Sequence, residues 1–296
     1  MPLKWVVCYN SLFVWIRRRR VEKMIRVVGH LRTLLLVCLL MAAMSFAVLA
    51  QNATPTPAQT PKPTPVKIDP KNLTADQVVN AALFFYGGGG GQAFLNQIRK
   101  TTLERGVTNI TNGEGKVERV PYQKFIIRGD SLAKEKIRLD QEFPAATFSL
   151  IRANEKVLGI FNNTVFTPTE DASKVFENQI VHGLEALLRY KENESTLELA
   201  ARAKVEGVDY YVLDVTDKQG RKTRFYVSSK RFLVMMLTYE QDGIKYRRKF
   251  YDYNPAQNTL VPFQTKLWAN DKVVEETEVG TVTFGQKVDE SLFPSS

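Results

Sequence analysis

The chain has 296 residues, of which 44% are hydrophobic, 24% charged and 10% aromatic; this ordinary globular composition excludes wholesale disorder, collagen-like repeats and multi-span membrane architecture. The formal charge of +10 is concentrated in the first 50 residues, which hold eight of the 41 basic and one of the 31 acidic side chains and leave 33 against 30 in the rest. That near balance argues against a nucleic-acid partner.

From Leu34 to Ala50 the chain is almost unbroken apolar sequence, preceded by Arg26 and Arg32 and ending in Val48, Leu49 and Ala50. This is the pattern of a signal peptide cut before Gln51. Met24 offers an alternative start that leaves a conventional basic n-region. The other reading of residues 1–50 is an uncleaved N-terminal anchor, since about 17 apolar residues is the lower limit for a bilayer span. Under both readings the arginines stay inside and the rest is exported, which places the protein in the periplasm. Cys8, Cys38 and His30 all lie in this leader, so the remainder has neither a thiol nor a disulfide, and His182 is its single histidine.

Residues 51–71 form a linker rich in proline and threonine. Six of the thirteen prolines fall here, at Pro55, Pro57, Pro61, Pro63, Pro65 and Pro70. Such a segment favours extended polyproline geometry and acts as a spacer. The folded part then runs from residue 72 to 296 as one domain without internal repeats.

Thr74 with Gln77 predicts a capping box for a helix through Val78, Val79, Ala82 and Phe85. Five glycines follow, Gly87 to Gly91, which read as a hinge or helix break. A second helical run is expected from Gln92 to about Glu104, with Phe94, Leu95 and Ile98 on one side. After Gly113 the period changes to two and turn residues separate short stretches, the pattern of an antiparallel sheet of nine or ten strands.

Gly129-Asp130 joins a strand holding Phe125 and Ile127 to one holding Ile137 and Leu139. A helix is expected from about Ala172 to Tyr190, with Phe176, Ile180, Leu184, Leu187 and Leu188 on one stripe. Beyond it, Leu197, Leu199, Ala201, Ala203 and Val205 alternate with polar residues, giving one wet and one dry face. Hairpin turns are expected at Lys218-Gln219-Gly220, Gln241-Asp242-Gly243 and Asn270-Asp271, and the run Phe232 to Leu237 is apolar at every position, as in a strand covered on both faces. These elements predict an α+β fold: a curved antiparallel sheet, an incomplete β-barrel, with helices covering its concave apolar face.

The residues do not point to an enzyme. There is no G-x-S-x-G elbow, and His182, between Val181 and Gly183, has no second histidine or cysteine with which to build a catalytic or metal site. No Lys-Ser or Lys-Thr follows the glycine run, so it is not a phosphate loop, and no spacing singles out a pair of carboxylates. No cofactor is implied. Lys245, Arg247 and Lys249 share one side of a strand and read as a solvated face. The aromatic set Phe125, Phe148, Tyr211, Phe225, Tyr239 and Phe263 fits either a ligand cavity or plain core.

The order of parts resembles the periplasmic outer-membrane lipoprotein carrier, or LolA-like, superfamily. Three stretches carry the likeness: Gly90-Gly91-Gln92-Ala93-Phe94-Leu95 with Ile98; Gly207-Val208-Asp209-Tyr210-Tyr211-Val212-Leu213 with Phe225-Tyr226-Val227 and Phe232-Leu233-Val234; and Val288-Asp289-Glu290-Ser291-Leu292-Phe293-Pro294. The resemblance covers residues 72–296. It implies a monomeric exported protein that binds lipid and shields acyl chains in an apolar cavity, with an acylated lipid or lipoprotein as cargo and an inner- or outer-membrane protein as partner. An envelope sensor or interaction module of the same fold, binding a protein rather than shuttling cargo, is the alternative. The resemblance also implies that Arg128 helps hold a closed, lidded state. On this reading Phe125, Ile127, Ile137, Leu139, Leu197, Leu199, Leu213 and Phe225 face the cavity, and Phe176, Ile180, Leu184 and Leu187 form its lid.

Overall fold

The computed structural model describes residues 72–111 and 115–294. The expected signal peptide or anchor, the linker 51–71, and Cys8, His30 and Cys38 lie outside the described residues.

Helix α1 (Ala75–Tyr86) starts at Thr74, whose Oγ1 accepts from the Gln77 N–H at 3.3 Å while Gln77 Oε1 accepts from the Thr74 N–H at 2.8 Å. This reciprocal pair satisfies two donors that a helix start otherwise leaves open. The buried face of α1 carries Val78, Val79, Ala82, Leu83 and Tyr86. The Tyr86 hydroxyl accepts from the Val234 N–H at 3.2 Å and lies 2.8 Å from the Tyr253 hydroxyl, so a polar pin fixes the apolar helix over the sheet. The glycine run forms the turn into α2 (Gly91–Ile98), with Gly88 at φ +55°. A Cβ there would lie 2.4 Å from the Asn258 carbonyl oxygen, so both conformation and space require glycine at that position.

Helix α2 is shorter than the sequence pattern predicts, because Glu104 belongs to β1 (Thr101–Thr111). Branched Thr101 and Thr102 are stiff in a helix, and β1 gains pairing on both sides. The strands that follow are β2 (Val117–Ile127), β3 (Lys136–Phe143), β4 (Ala146–Ala153), β5 (Lys156–Phe161) and β6 (Thr164–Phe166), then β7 (Thr196–Val205), β8 (Val208–Thr216), β9 (Lys222–Ser228), β10 (Val234–Gln241), β11 (Ile244–Ala256), β12 (Thr259–Ala269) and β13 (Lys272–Phe284).

Among the described residues these thirteen strands, more than the nine or ten expected, make one sheet ordered β6-β5-β4-β3-β2-β1-β13-β12-β11-β10-β9-β8-β7. Every pairing is antiparallel. Neighbours in the sheet are neighbours in sequence except where β1 meets β13. The free edges are β6 and β7, so the sheet is an incomplete barrel, and the chain passes from one edge to the other through two helices.

Those helices, α3 (Glu170–Val181) and α4 (Leu184–Leu188), replace the single continuous helix expected from 172 to 190. The break falls at His182 and Gly183, the latter extended at φ −87° and ψ 178°. Glycine is a poor helix former, and the apolar stripe on either side of it docks without the helix being continuous.

The core lies between these helices and one face of the sheet. Leu213, Phe225, Leu237 and Phe250 from the sheet share it with Phe176, Ile180, Leu187 and α1. Within the run from Phe232, Leu233, Val234, Met236 and Leu237 are buried, so this segment is covered on both faces as its unbroken apolarity requires. The three cations expected on one side of β11 are partly committed to partners. Arg247 lies over the Trp268 ring and 3.3 Å from Asp271, and Lys249 reaches Glu206 at 2.6 Å.

Candidate functional site

The register of the sheet decides which side chains the helices cover. Ile126 pairs with Ile137, Leu139 with Leu150, Leu199 with Leu213, and Leu213 with Phe225. Of the residues expected on the covered face, Ile137, Leu213 and Phe225 are buried in the core, and Leu139 and Leu197 pack against it. From the helices, Phe176, Ile180 and Leu187 are buried and Leu184 packs alongside.

Phe125 and Ile127 do not face the helices. Their cross-strand partners are Arg138 and Lys136, which reach the Leu292 carbonyl and the Glu290 carboxylate on the opposite face. The residue of β2 in the core layer is Ile126. Three consecutive apolar residues carry no alternation, so the parity of Phe125-Ile126-Ile127 is set by register alone. Leu199 is also displaced. It lies on edge strand β7 beside a bulge and is 38% exposed.

Where the layer is covered it is full. Leu187, Leu213, Phe225 and Leu237 each have 0% exposure, so no water-sized space adjoins them. His182, at the joint between α3 and α4, is stacked on Tyr239 at 3.9 Å between ring centroids, with its Nδ1 2.6 Å from Thr223 Oγ1. Burial and the nearby Arg221 guanidinium push its imidazole pKa down to about 4, so the ring is neutral at pH 7.

Both ends of α4 are held by charges. Glu185 accepts from Arg128 Nη2 at 2.7 Å and from Arg99 Nη1 at 3.0 Å. Arg128 Nη1 also donates to Asn96 Oδ1 at 3.1 Å, tying the end of β2 to both α2 and α4. One residue past the helix, Arg189 donates to Glu135, to Glu192 and, at 2.6 Å, to the Gly129 carbonyl. Glu192 closes the network by accepting from Asn96 Nδ2 at 2.7 Å and Gln92 Nε2 at 3.1 Å.

The network sets the protonation of its members. Burial and the charge of Glu185 push the Glu135 carboxyl up to about 7, against the pull of Arg189 and Arg128. Burial pushes Glu185 up as well, but the guanidinium groups of Arg128, Arg99 and Arg189 outweigh it and hold the carboxyl below the usual range. An ionised carboxylate shared by two guanidinium groups is a strong, directional link. The resemblance singles out Arg128 but not its partners, since Glu185 lies 57 residues away; the available signal is a pair of charges, Glu185 and Arg189, embedded in the apolar run from Leu184 to Tyr190.

No protein-family model matches the sequence, and no curated protein matches it significantly. Solved structures do share its architecture. A DUF1329 family protein from Desulfovibrio piger superposes with a TM-score of 0.53 at 12% identity, covering 75% of this chain and 97% of that one. A LolA superfamily protein from Nitrosomonas europaea gives 0.52 at 10% identity, covering 76% and 99%. An open antiparallel sheet curved around helices, matched over nearly the whole length of both neighbours, gives this chain the LolA-like fold.

Proposed function

We propose that the chain is an exported periplasmic carrier that shelters the acyl chains of a lipid or lipoprotein between the covered face of the sheet and α3–α4. It acts as a monomer without cofactor, receiving cargo from or delivering it to a membrane protein, and it performs no catalysis. The observation that carries this reading is the pairing of a continuous apolar sheet face with a short, jointed cover held at one end by ions. Each methylene exposed to water costs about 0.8 kcal/mol, so an acyl chain crossing the periplasm needs a shelter of this kind.

The described conformation is the closed one, and cargo enters by taking the place of Phe176, Ile180 and Leu184 against Leu213 and Phe225. Because lid and cargo bury similar surfaces, the exchange is close to neutral and reversible. Arg128, through Glu185, holds α4 in place, so that α3 lifts about the joint at Gly183. Titration with a fluorescent fatty acid tests this: Leu184→Asp weakens uptake several-fold, and unchanged uptake removes α4 from the lid. A native mass free of lipid, in a protein that also ignores added lipid, overturns the carrier reading and leaves a protein-binding module.

A further inference from the structure

We infer that the rim of the sheet beside the glycine turn is a docking surface for the head-group layer of an anionic bilayer. The inference goes beyond the carrier reading and stands without it, since it needs a surface and not a cavity.

Helix α1 ends in Phe84 and Phe85, placed between buried Leu83 and Tyr86, so the helical turn aims both rings away from the core; they are 54% and 43% exposed. The two rings meet edge to face at 5.8 Å between centroids. Phe85 is stacked on Phe232 at 5.9 Å, and Phe232 in turn on buried Tyr211 at 5.9 Å. A ladder of rings therefore runs from the core to the surface. Phe232 takes its place in it at φ +54°, a left-handed backbone that bulky side chains rarely adopt. Glycine would relax the connection between β9 and β10 at that position, but it would remove the link between Phe85 and Tyr211. Beside the ladder, Phe85, Phe94, Pro255 and Leu260 line an open groove of about 570 Å³ between the glycine turn and the β11–β12 hairpin.

Charge decides what covers this patch. The turn that leads into Phe232 carries Lys230 and Arg231, both exposed and without an ion pair among the described residues. The other cations set beside an exposed aromatic surface are committed: Arg247 and Lys249, next to Trp268, pair with Asp271 and Glu206. Two free cations bordering a ridge of exposed phenylalanines match the two levels of a membrane interface. The rings enter at the boundary between head groups and acyl chains, and the lysine and arginine reach the phosphates above it. An exposed apolar patch by itself would equally suit a protein partner. The unpaired cations favour lipid phosphates.

The test places a tryptophan in the patch, as Phe85→Trp in the full chain, and adds vesicles of brominated phosphatidylcholine, either alone or mixed equally with phosphatidylglycerol. Bromine quenches an indole only where the ring has entered the bilayer, so the readout follows the patch itself and not attachment of the chain by another segment. The added emission, taken as the difference from the native chain, is expected to be quenched on the mixed vesicles and to recover in high salt. Val165→Trp, at an exposed position on β6, is expected to stay bright. Lys230→Gln combined with Arg231→Gln is expected to weaken the vesicle affinity of the Phe85→Trp chain about 30-fold, the loss of two cations at an anionic surface. Phe84→Ser, which removes an already exposed ring and leaves the core intact, also weakens it. No quenching, equal quenching with and without phosphatidylglycerol, equal quenching at Val165, or quenching that survives the double substitution overturns the docking surface and leaves a protein as the occupant of the patch. None of these outcomes bears on the carrier reading, which the fatty-acid titration tests separately.

Discussion

The two covering helices are fastened in different ways. Twelve-residue α3 buries Phe176, Asn178 and Ile180, leaves Val175 56% exposed, and carries its own exposed Lys174–Glu170 pair. Five-residue α4 buries Ala186, Leu187 and Leu188, and the adjoining Arg189 and Tyr190 are buried too. A helix of five residues has no stability of its own, so α4 exists because of what it touches, above all the guanidinium groups around Glu185 and the carboxylates around Arg189. On the proposed carrier reading, the difference assigns the anchored part of the cover to α4 and the part that lifts to α3, with Gly183 as the joint. Apolar contacts can be exchanged for acyl chains one methylene at a time, whereas an ion shared by two partners is released all at once.

The largest expected effect comes from breaking the anchor. Arg189→Ala leaves Glu135 buried without its cation, and removal of one partner of a buried pair costs about 3–5 kcal/mol. Urea unfolding followed by far-UV circular dichroism should show that loss; a loss below about 1 kcal/mol would mean that the network is solvated and α4 is no anchor.

Next in size is the loss of an apolar contact from α3. Phe176→Ala removes a side chain that is only 3% exposed, a change of about 3 kcal/mol in a fixed core. In a segment that opens locally, part of that loss appears as local opening rather than global unfolding. Amide hydrogen exchange should therefore accelerate across α3 while α4 and β8–β10 stay protected. Equal acceleration in α4 would show that the two helices lift as one.

How much of this was readable in the sequence depends on the range of the forces involved. The Thr74–Gln77 capping box, the glycine turn and the apolar stripe Phe176–Ile180–Leu184–Leu187 are local patterns, and each is found in place, whereas the alternation expected from Leu197 to Val205 is broken by the bulge after Leu199. The Phe125-Ile126-Ile127 parity was not legible because three apolar residues in a row carry no alternation, which leaves the choice of face to the pairing with β3. The α3–α4 break was misjudged because a continuous stripe hid the effect of one glycine. Most of the ionic network was out of reach, since Arg99, Glu135 and Glu185 come from three separate elements and none of their pairings follows a helical or strand period.

The subtlest prediction is a pH dependence, because the joint of the cover and the ionic anchor of α4 each hold a titrating group with opposite linkage. Glu135, on the α4 side, is raised from 4.5 to about 7 by burial and by Glu185. The folded state then binds more protons than the unfolded one between those values, and stability from this group falls as pH rises through the window. His182, at the end of α3, is lowered from 6.5 to about 4 by burial and Arg221. Here the unfolded state binds more protons, so stability falls as pH drops from 6.5 towards 4. Between pH 4.5 and 6.5 the two slopes oppose each other and the native chain should change little on their account. Glu135→Gln should leave stability rising with pH across that interval, and His182→Phe should leave it falling. Urea midpoints measured at pH 4.5, 5.5 and 6.5 distinguish the cases: if both variants retain the native profile, neither group is linked to folding, and the burial of the joint and of the anchor is not felt by their protons.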